Sequence, residues 1–165
     1  MSTAETLYQI FLKHPQISID SRKEVKKALF FALKGDRFDG NMFAAEALNR
    51  GCAFAIVDNP GVEQNNDPRF ILVKNVLDSL QELASYHRQH LDIPVLAITG
   101  SNGKTTTKEL ITRVLRKKYK VTATTGNLNN HIGVPLTVLA ADHKTGILVV
   151  EMGANHSGEI ARLCD

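Results

Sequence analysis

An apolar run, Val95-Leu96-Ala97-Ile98-Thr99, passes without a break into Gly100-Ser101-Asn102-Gly103-Lys104-Thr105, and Leu110, Ile111, Val114 and Leu115 then recur at helical spacing. A strand, a glycine-bearing turn and a helix in that order constrain the chain to an α/β fold with a parallel sheet. Gly100 and Gly103 permit a backbone path that turns several N–H groups toward one point at the positive end of the helix, where phosphate oxygens can be held. Lys104 supplies a point charge for the β/γ-phosphates of ATP and Thr105 a hydroxyl for Mg²⁺, with Ser101, Asn102 and Thr106 completing the loop. The longer G-x-x-x-x-G-K-[ST] spacing would need glycine at position 98, where Ile98 stands, so this is a shortened variant.

A divalent ion bridging phosphates needs hard oxygen ligands close to Thr105. Ile147-Leu148-Val149-Val150-Glu151 reads as a buried parallel strand closing on a carboxylate. In an open α/β sheet that end lies along the same crevice as the glycine loop, so Glu151 is the candidate second metal ligand, or a base aimed at it. Lys104 and Glu151 are therefore the candidate catalytic residues, and Thr105 and Glu151 the candidate metal ligands. The histidines lack metal-ligand company of the H-E-x-x-H kind. His87 and His90 are expected on a solvated helix face, and His131 and His156 in loops that they structure by hydrogen bonding.

Two units are expected, with a boundary near residue 92 in the Leu91-Asp92-Ile93-Pro94 hinge. In the first, Ser2 and Glu5 suggest a capping box for a helix reaching His14-Pro15, followed by a short strand at Ile17 and Ile19. The run 28–33 is compact and apolar, and stops at Gly35-Asp36. Asn41 can cap a helix with Phe43, Ala44, Ala47 and Leu48 inward, closed by Gly51. Strands are expected at 53–57 and 70–73, separated by the Asp58-Asn59-Pro60-Gly61 turn, and Asn75 caps a helix with Val76, Leu80, Leu83, Ala84 and His87 on one face. The second unit alternates strand (95–99), helix (105–118), strand (119–124), polar loop (125–131), a helix starting near 132–135, and strand (147–151). Residues 157–165 begin a further helix, so this sheet is expected to be unfinished.

Composition narrows the partners. Of the 165 residues 43% are apolar, enough for real cores. The 20 basic and 17 acidic residues are spread along the chain and leave a formal charge of +3, which by itself names no polyanionic partner. The denser cluster Arg113, Arg116, Lys117, Lys118 and Lys120 reads as a solvated helix end rather than a nucleic-acid patch. Cys52 and Cys164 show no C-x-x-C spacing, Cys52 being expected in the core, and this fits a reducing compartment. There is no leader-like N-terminus and no run of about 18 apolar residues. A soluble cytoplasmic protein without nucleic-acid binding or membrane insertion follows, with a monomer as the working expectation.

The string Thr99-Gly-Ser-Asn-Gly-Lys-Thr-Thr-Thr-Lys-Glu109 resembles the short ATP loop of the Mur ligase family, which accounts for Ile98. Three further stretches agree with the branch that adds D-alanyl-D-alanine. They are Asp20-Ser21-Arg22 with 29–35 and Phe38-Asp39-Gly40, then 126–136, then Glu151-Met152-Gly153-Ala154-Asn155. The resemblance covers roughly residues 17 to 165.

It implies that residues 1–92 form a small α/β domain receiving UDP-N-acetylmuramoyl-tripeptide, with Ser21 and Arg22 near uridine or diphosphate and Asp36, Arg37 and Phe38 as further contacts. Residues 93–165 would begin the ATP-binding domain, with Asn129 and Asn130 touching substrate or phosphate. The implied chemistry is transfer of the γ-phosphoryl group to the tripeptide carboxylate, then attack by the D-alanyl-D-alanine amine on the acyl phosphate. Family members continue into further metal, adenine and acceptor contacts, so these residues alone are expected to lack turnover. The competing readings are the related ligase adding a diamino residue, and a non-catalytic nucleotide- or UDP-sugar-binding module. A signalling GTPase is disfavoured, since no Asn-Lys-x-Asp follows.

Overall fold

A computed structural model describes residues 3–62 and 67–164, and the chain divides into two compact units, residues 1–83 and 84–165. Ser2 of the expected capping box lies outside the described residues. The division falls inside a helix rather than in the hinge that follows it.

The first unit runs α1 (Thr3–Lys13), β1 (Ile17–Ser18), β2 (Leu29–Phe31), β3 (Lys34–Gly35), β4 (Phe38–Asp39), α2 (Ala44–Asn49), β5 (Phe54–Val57), β6 (Phe70–Leu72) and the start of α3 (Val76–Gln89). Its sheet has the order β1-β2-β5-β6, with every neighbouring pair parallel. Such a sheet is covered on both faces, which is why 28–33 is apolar throughout instead of alternating. Ala28, Phe30, Ala32, Ala55 and Val57 pack with Ala44, Ala47 and Leu48 of α2, and Cys52 joins this core as expected. Leu29, Phe31 and Ile56, of opposite parity along their strands, are also fully buried. Asn75 caps α3 as read from the sequence, its Oδ1 accepting from Asp78 N at 3.0 Å.

Two expectations here are corrected. Asn41 does not cap α2 and Phe43 does not face inward. The chain enters α2 through a 3-10 turn, Gly40–Phe43, capped by Asp39, whose carboxylate accepts from Asn41 N. With three residues per turn, the face presented inward shifts relative to an α-helix. Asn41 is buried and Phe43 is 42% exposed. The apolar run does stop at Gly35-Asp36, where Gly35 pairs with Phe38 in an antiparallel hairpin, β3–β4, that turns at Asp36 and Arg37. The chain leaves this hairpin through Gly40, where a Cβ would lie 2.4 Å from the Leu33 carbonyl oxygen.

The second unit contains β7 (Val95–Ile98), α4 (Lys104–Leu115), β8 (Val121–Ala123), α5 (Gly133–Leu139), β9 (Ile147–Glu151) and α6 (Glu159–Cys164). β9 is the middle strand of a parallel sheet ordered β7-β9-β8. Leu148 and Val150 form a core with Leu91, Val134, Ala141 and Met152. Pro135 is tolerated in α5 because it sits in the first turn, where its missing N–H has no helical acceptor. No helix among the described residues is long and apolar enough to cross a membrane.

The face of α4 also departs from expectation. Leu110 and Val114 are 60% and 71% exposed, while Lys108 and Thr112 are buried. On the buried face Lys108 meets the Gly126 carbonyl and the carboxylates of Glu109 and Glu151. The basic residues 113–120 lie at the exposed end of α4 and beyond it, as expected.

His87 overturns the solvated-face reading. It is buried on the inward face of α3 and its Nε2 donates to the Ala141 carbonyl at 2.9 Å. His90 is exposed and stacks on Tyr86, with ring centroids 4.5 Å apart. Desolvation pushes the His87 pKa below its ordinary value. The unfolded chain therefore binds a proton at His87 more readily than the folded one does. This stabilising contribution is complete above the ordinary histidine pKa and is lost as pH falls toward the depressed folded value. Urea midpoints measured between pH 8 and pH 5 should fall for the wild-type chain, and His87→Gln should flatten that dependence.

Candidate functional site

β7 delivers the chain into the glycine loop 100–103, and α4 begins at Lys104. Gly100 and Gly103 have φ of 149° and 78°, conformations that side-chain-bearing residues seldom adopt. Nothing lies within 4 Å of where a Gly103 Cβ would stand, so this glycine is required by its backbone angle rather than by crowding. Gly103 occupies the N-cap position with no side-chain cap. The first N–H groups of α4, which have no acceptor within the helix, thus lack a capping side chain at its positive end. Lys104 Nζ folds back to donate to the Gly100 carbonyl at 2.7 Å. Ser101, Asn102 and Thr106 are exposed along the same loop and first turn.

Glu151 ends β9 opposite Ile98 in the strand register, so the carboxylate arrives level with the start of the loop. Its backbone is pinned on both sides. Glu151 N donates to Thr124 Oγ1 at 2.9 Å and Met152 N to the Ile98 carbonyl at 2.8 Å. The side chain is 1% exposed. Oε1 accepts from Thr105 Oγ1 at 3.0 Å and from Asn129 Nδ2 at 2.8 Å. Oε2 is buried, has no hydrogen-bond partner, and faces Lys108 Nζ at 3.6 Å.

The loop after β8 brings Asn129 to this carboxylate. Gly153 N donates to the Asn129 carbonyl at 2.7 Å, tying the loop to the chain just past β9. Asn130 is occupied differently from Asn129. Its Oδ1 accepts from Ile132 N and Gly133 N at 3.1 and 2.9 Å, capping the start of α5. Gly133 is fixed by close approach, since a Cβ there would lie 2.3 Å from the Leu128 carbonyl carbon.

Lys108 is the site residue that sequence reasoning missed. It is 0% exposed, and its ammonium donates to the Gly126 carbonyl at 3.1 Å and pairs with Glu109 Oε1 at 3.1 Å as well as with Glu151. The signal available was a lysine one helical turn beyond Lys104, on the same face of α4. One ammonium shared between two carboxylates leaves net negative charge beside the Thr105 hydroxyl. Hard oxygen donors with that charge suit Mg²⁺. Among the described residues no group of three or more His, Cys, Asp or Glu side chains forms a metal cage. A cation at Thr105 and Glu151 would therefore draw its remaining ligands from phosphate and water, as Mg²⁺ commonly does.

The other predicted residues belong to the first unit, at the carboxyl end of its parallel strands. Ser21 and Arg22 follow β1, while Asp36, Arg37 and Phe38 lie on the hairpin after the neighbouring β2. Ser21 is buried and Phe38 is 57% exposed. Arg22 makes a two-pronged pair with Asp20, Nε to Oδ1 at 2.8 Å and Nη2 to Oδ2 at 3.0 Å. Hydrogen bonds from the Arg22 side chain, then its backbone, hold the Asp20 carboxyl at about 2. Asp58, which the sequence reading treated only as part of a turn, knits this end together. It bonds Lys34 Nζ at 2.8 Å and Asn41 Nδ2 at 2.9 Å through Oδ1, and accepts from Val76 N through Oδ2.

A parallel sheet whose strand feeds an uncapped glycine loop, with a strand-end carboxylate bonded to the loop threonine, defines the P-loop class of α/β domains. Residues 15–91 match the Mur ligase family catalytic domain and residues 98–165 the Mur ligase middle domain. The chain belongs to the Mur ligase family. It is 46% identical over 144 residues to the UDP-N-acetylmuramoyl-tripeptide–D-alanyl-D-alanine ligase of Bacillus subtilis, an alignment covering 87% of this chain and 32% of that protein. The crystal structure of MurF from Acinetobacter baumannii superposes with a TM-score of 0.84 at 35% identity, over 97% of this chain and 37% of that one. MurF from Thermotoga maritima in complex with ADP gives 0.80 at 37% identity, over 93% of this chain and 35% of that one. The chain thus spans about a third of the length of these relatives.

The contact at Gly133 carries a prediction. Gly133→Ala must displace the Leu128 backbone and with it the loop bearing Asn129, and it should cost about 1–3 kcal/mol. Urea denaturation of the variant beside the wild type measures this loss.

Proposed function

We propose that this chain carries the UDP-substrate-binding region and the start of the ATP-binding region of a cytoplasmic UDP-N-acetylmuramoyl-tripeptide–D-alanyl-D-alanine ligase, with the functional boundary near residue 92. The observation that carries this reading is the 3.0 Å hydrogen bond from Thr105 to Glu151. It joins the glycine loop to the strand-end carboxylate, the pairing needed to hold a metal-bound triphosphate. The resemblance of this chain to D-alanyl-D-alanine-adding ligases, and to one solved with ADP, supports the choice of substrates.

In this reading the amides at the start of α4 receive the phosphates, and Lys104 swings from the Gly100 carbonyl to the β/γ oxygens. Thr105 and Glu151 would hold Mg²⁺, which would neutralise charge on the phosphate oxygens. The γ-phosphoryl group passes to the tripeptide carboxylate, giving an acyl phosphate and ADP. The amine of D-alanyl-D-alanine then attacks that carbonyl, forming the amide and releasing phosphate. Asn129, directed by Glu151, borders the phosphates and substrate, while Asn130 supports it by shaping the loop. Ser21, Arg22 and the hairpin residues Asp36, Arg37 and Phe38 receive the UDP end. Phosphoryl transfer of this kind is accelerated chiefly by positioning and charge neutralisation.

Separate titrations with Mg²⁺·ATP and with UDP-N-acetylmuramoyl-tripeptide test the reading. Lys104→Met should weaken Mg²⁺·ATP binding at least about tenfold, roughly 1.4 kcal/mol, and leave the tripeptide affinity unchanged. Arg22→Ala should do the reverse. A wild-type chain that binds neither ligand, or variants that leave both affinities unaltered, would contradict the assignment.

A further inference from the structure

The two oxygens of Glu151 are not equivalent. Oε1 lies beside Thr105, an exposed residue of the glycine loop, and beside the Asn129 amide. Oε2 is sealed in the interior, receives no hydrogen bond, and has the Lys108 ammonium at 3.6 Å. Lys108 is itself fully buried, and its remaining reach goes to the Gly126 carbonyl and to Glu109. Gly126 opens the loop that carries Asn129, and Gly153 N, two residues past Glu151, donates to the Asn129 carbonyl of this loop. One side chain of α4 therefore touches both the metal-ligand candidate and the loop that borders it.

We propose that Lys108 is a positioning residue of this site, whose ammonium occupies the Oε2 side of Glu151 and the Gly126 carbonyl together. Oε1 is thereby the one oxygen offered to a divalent cation, and the 126–130 loop is locked to α4. The inference rests on the cation-binding reading of Thr105 and Glu151. It adds that Glu151 binds through a single oxygen, a mode that suits octahedral Mg²⁺ with its short bonds. Ca²⁺, which accepts both oxygens of a carboxylate and higher coordination numbers, is disfavoured. Glu109, 64% exposed, is the second acid on the same ammonium, and its exposure leaves Glu151 as the buried partner that Lys108 orients.

Lys108→Met, which keeps the length and removes the charge, tests both halves of the proposal, with Lys108→Gln as the second variant should the first not fold. In the metal-free protein, amide exchange at Gly153 and Val134, whose N–H groups donate to Asn129 and Asn130, should accelerate at least tenfold. Exchange at Val149 and Val150 in the strand should stay unchanged. Exchange equal to wild type at Gly153 and Val134 would overturn the role of Lys108, whatever the nucleotide does. The second readout is the ratio of ADP affinities in Mg²⁺ and in Ca²⁺, expected to favour Mg²⁺ in the wild type and to narrow at least fivefold in the variant. A ratio unmoved by the substitution would overturn single-oxygen binding. A wild-type protein that binds ADP with neither ion would instead strike the ATP-site reading, leaving the exchange result to decide Lys108.

Discussion

Burying the carboxylate of Glu151 at the end of β9 sets the terms for everything around it. Removing a carboxylate and an ammonium from water costs several kcal/mol for each ion. At an effective dielectric of about 20, the Lys108–Glu151 attraction at 3.6 Å returns roughly 5 kcal/mol. Ion pairing alone does not cover the cost. The hydrogen bonds from Thr105 and Asn129 to the carboxylate, and from Lys108 to the Gly126 carbonyl, offset the remainder. A parallel strand, a glycine-loop helix and a following loop must all be in register for those bonds to exist.

The first unit solves a related problem with Asp58. There a carboxylate after β5 gathers Lys34 from the hairpin, Asn41 from the 3-10 turn and the first N–H of α3. The residues it organises lie at the carboxyl end of a parallel sheet, where α/β proteins commonly present ligand contacts. Arg22 stands at the same end, oriented by its fork with Asp20 and largely in solvent. Exposed ion pairs of this kind contribute little to stability.

Much of this was legible in the linear order of residues. Strand, glycine loop and helix over 95–115, and the apolar run ending at Glu151, gave the parallel sheet of the second unit and the approach of Thr105 to Glu151. Asn75 announced its cap. Failures occurred where the sequence offers two faces and only packing chooses. Leu110 and Val114 form an apolar pair at helical spacing, yet the buried face of α4 is that of Lys108 and Thr112. For His87 the helical spacing that placed it with Leu80, Leu83 and Ala84 held, and the grouping with His90 as solvated did not. The β3–β4 hairpin was hidden because each of its strands is only two residues long.

By itself, then, the sequence determined the local chemistry: glycines where the backbone turns left-handed, a lysine and a threonine at the helix start, an acid closing a buried strand. Backbone sterics and the alternation of apolar residues act over a few positions, and so they can be read from neighbours. Which donors reach Oε1 of Glu151, which asparagine meets it and which lysine lies behind it were decided only in three dimensions. Those contacts join residues from 22 to 46 positions apart, whose meeting depends on how strands register across a sheet.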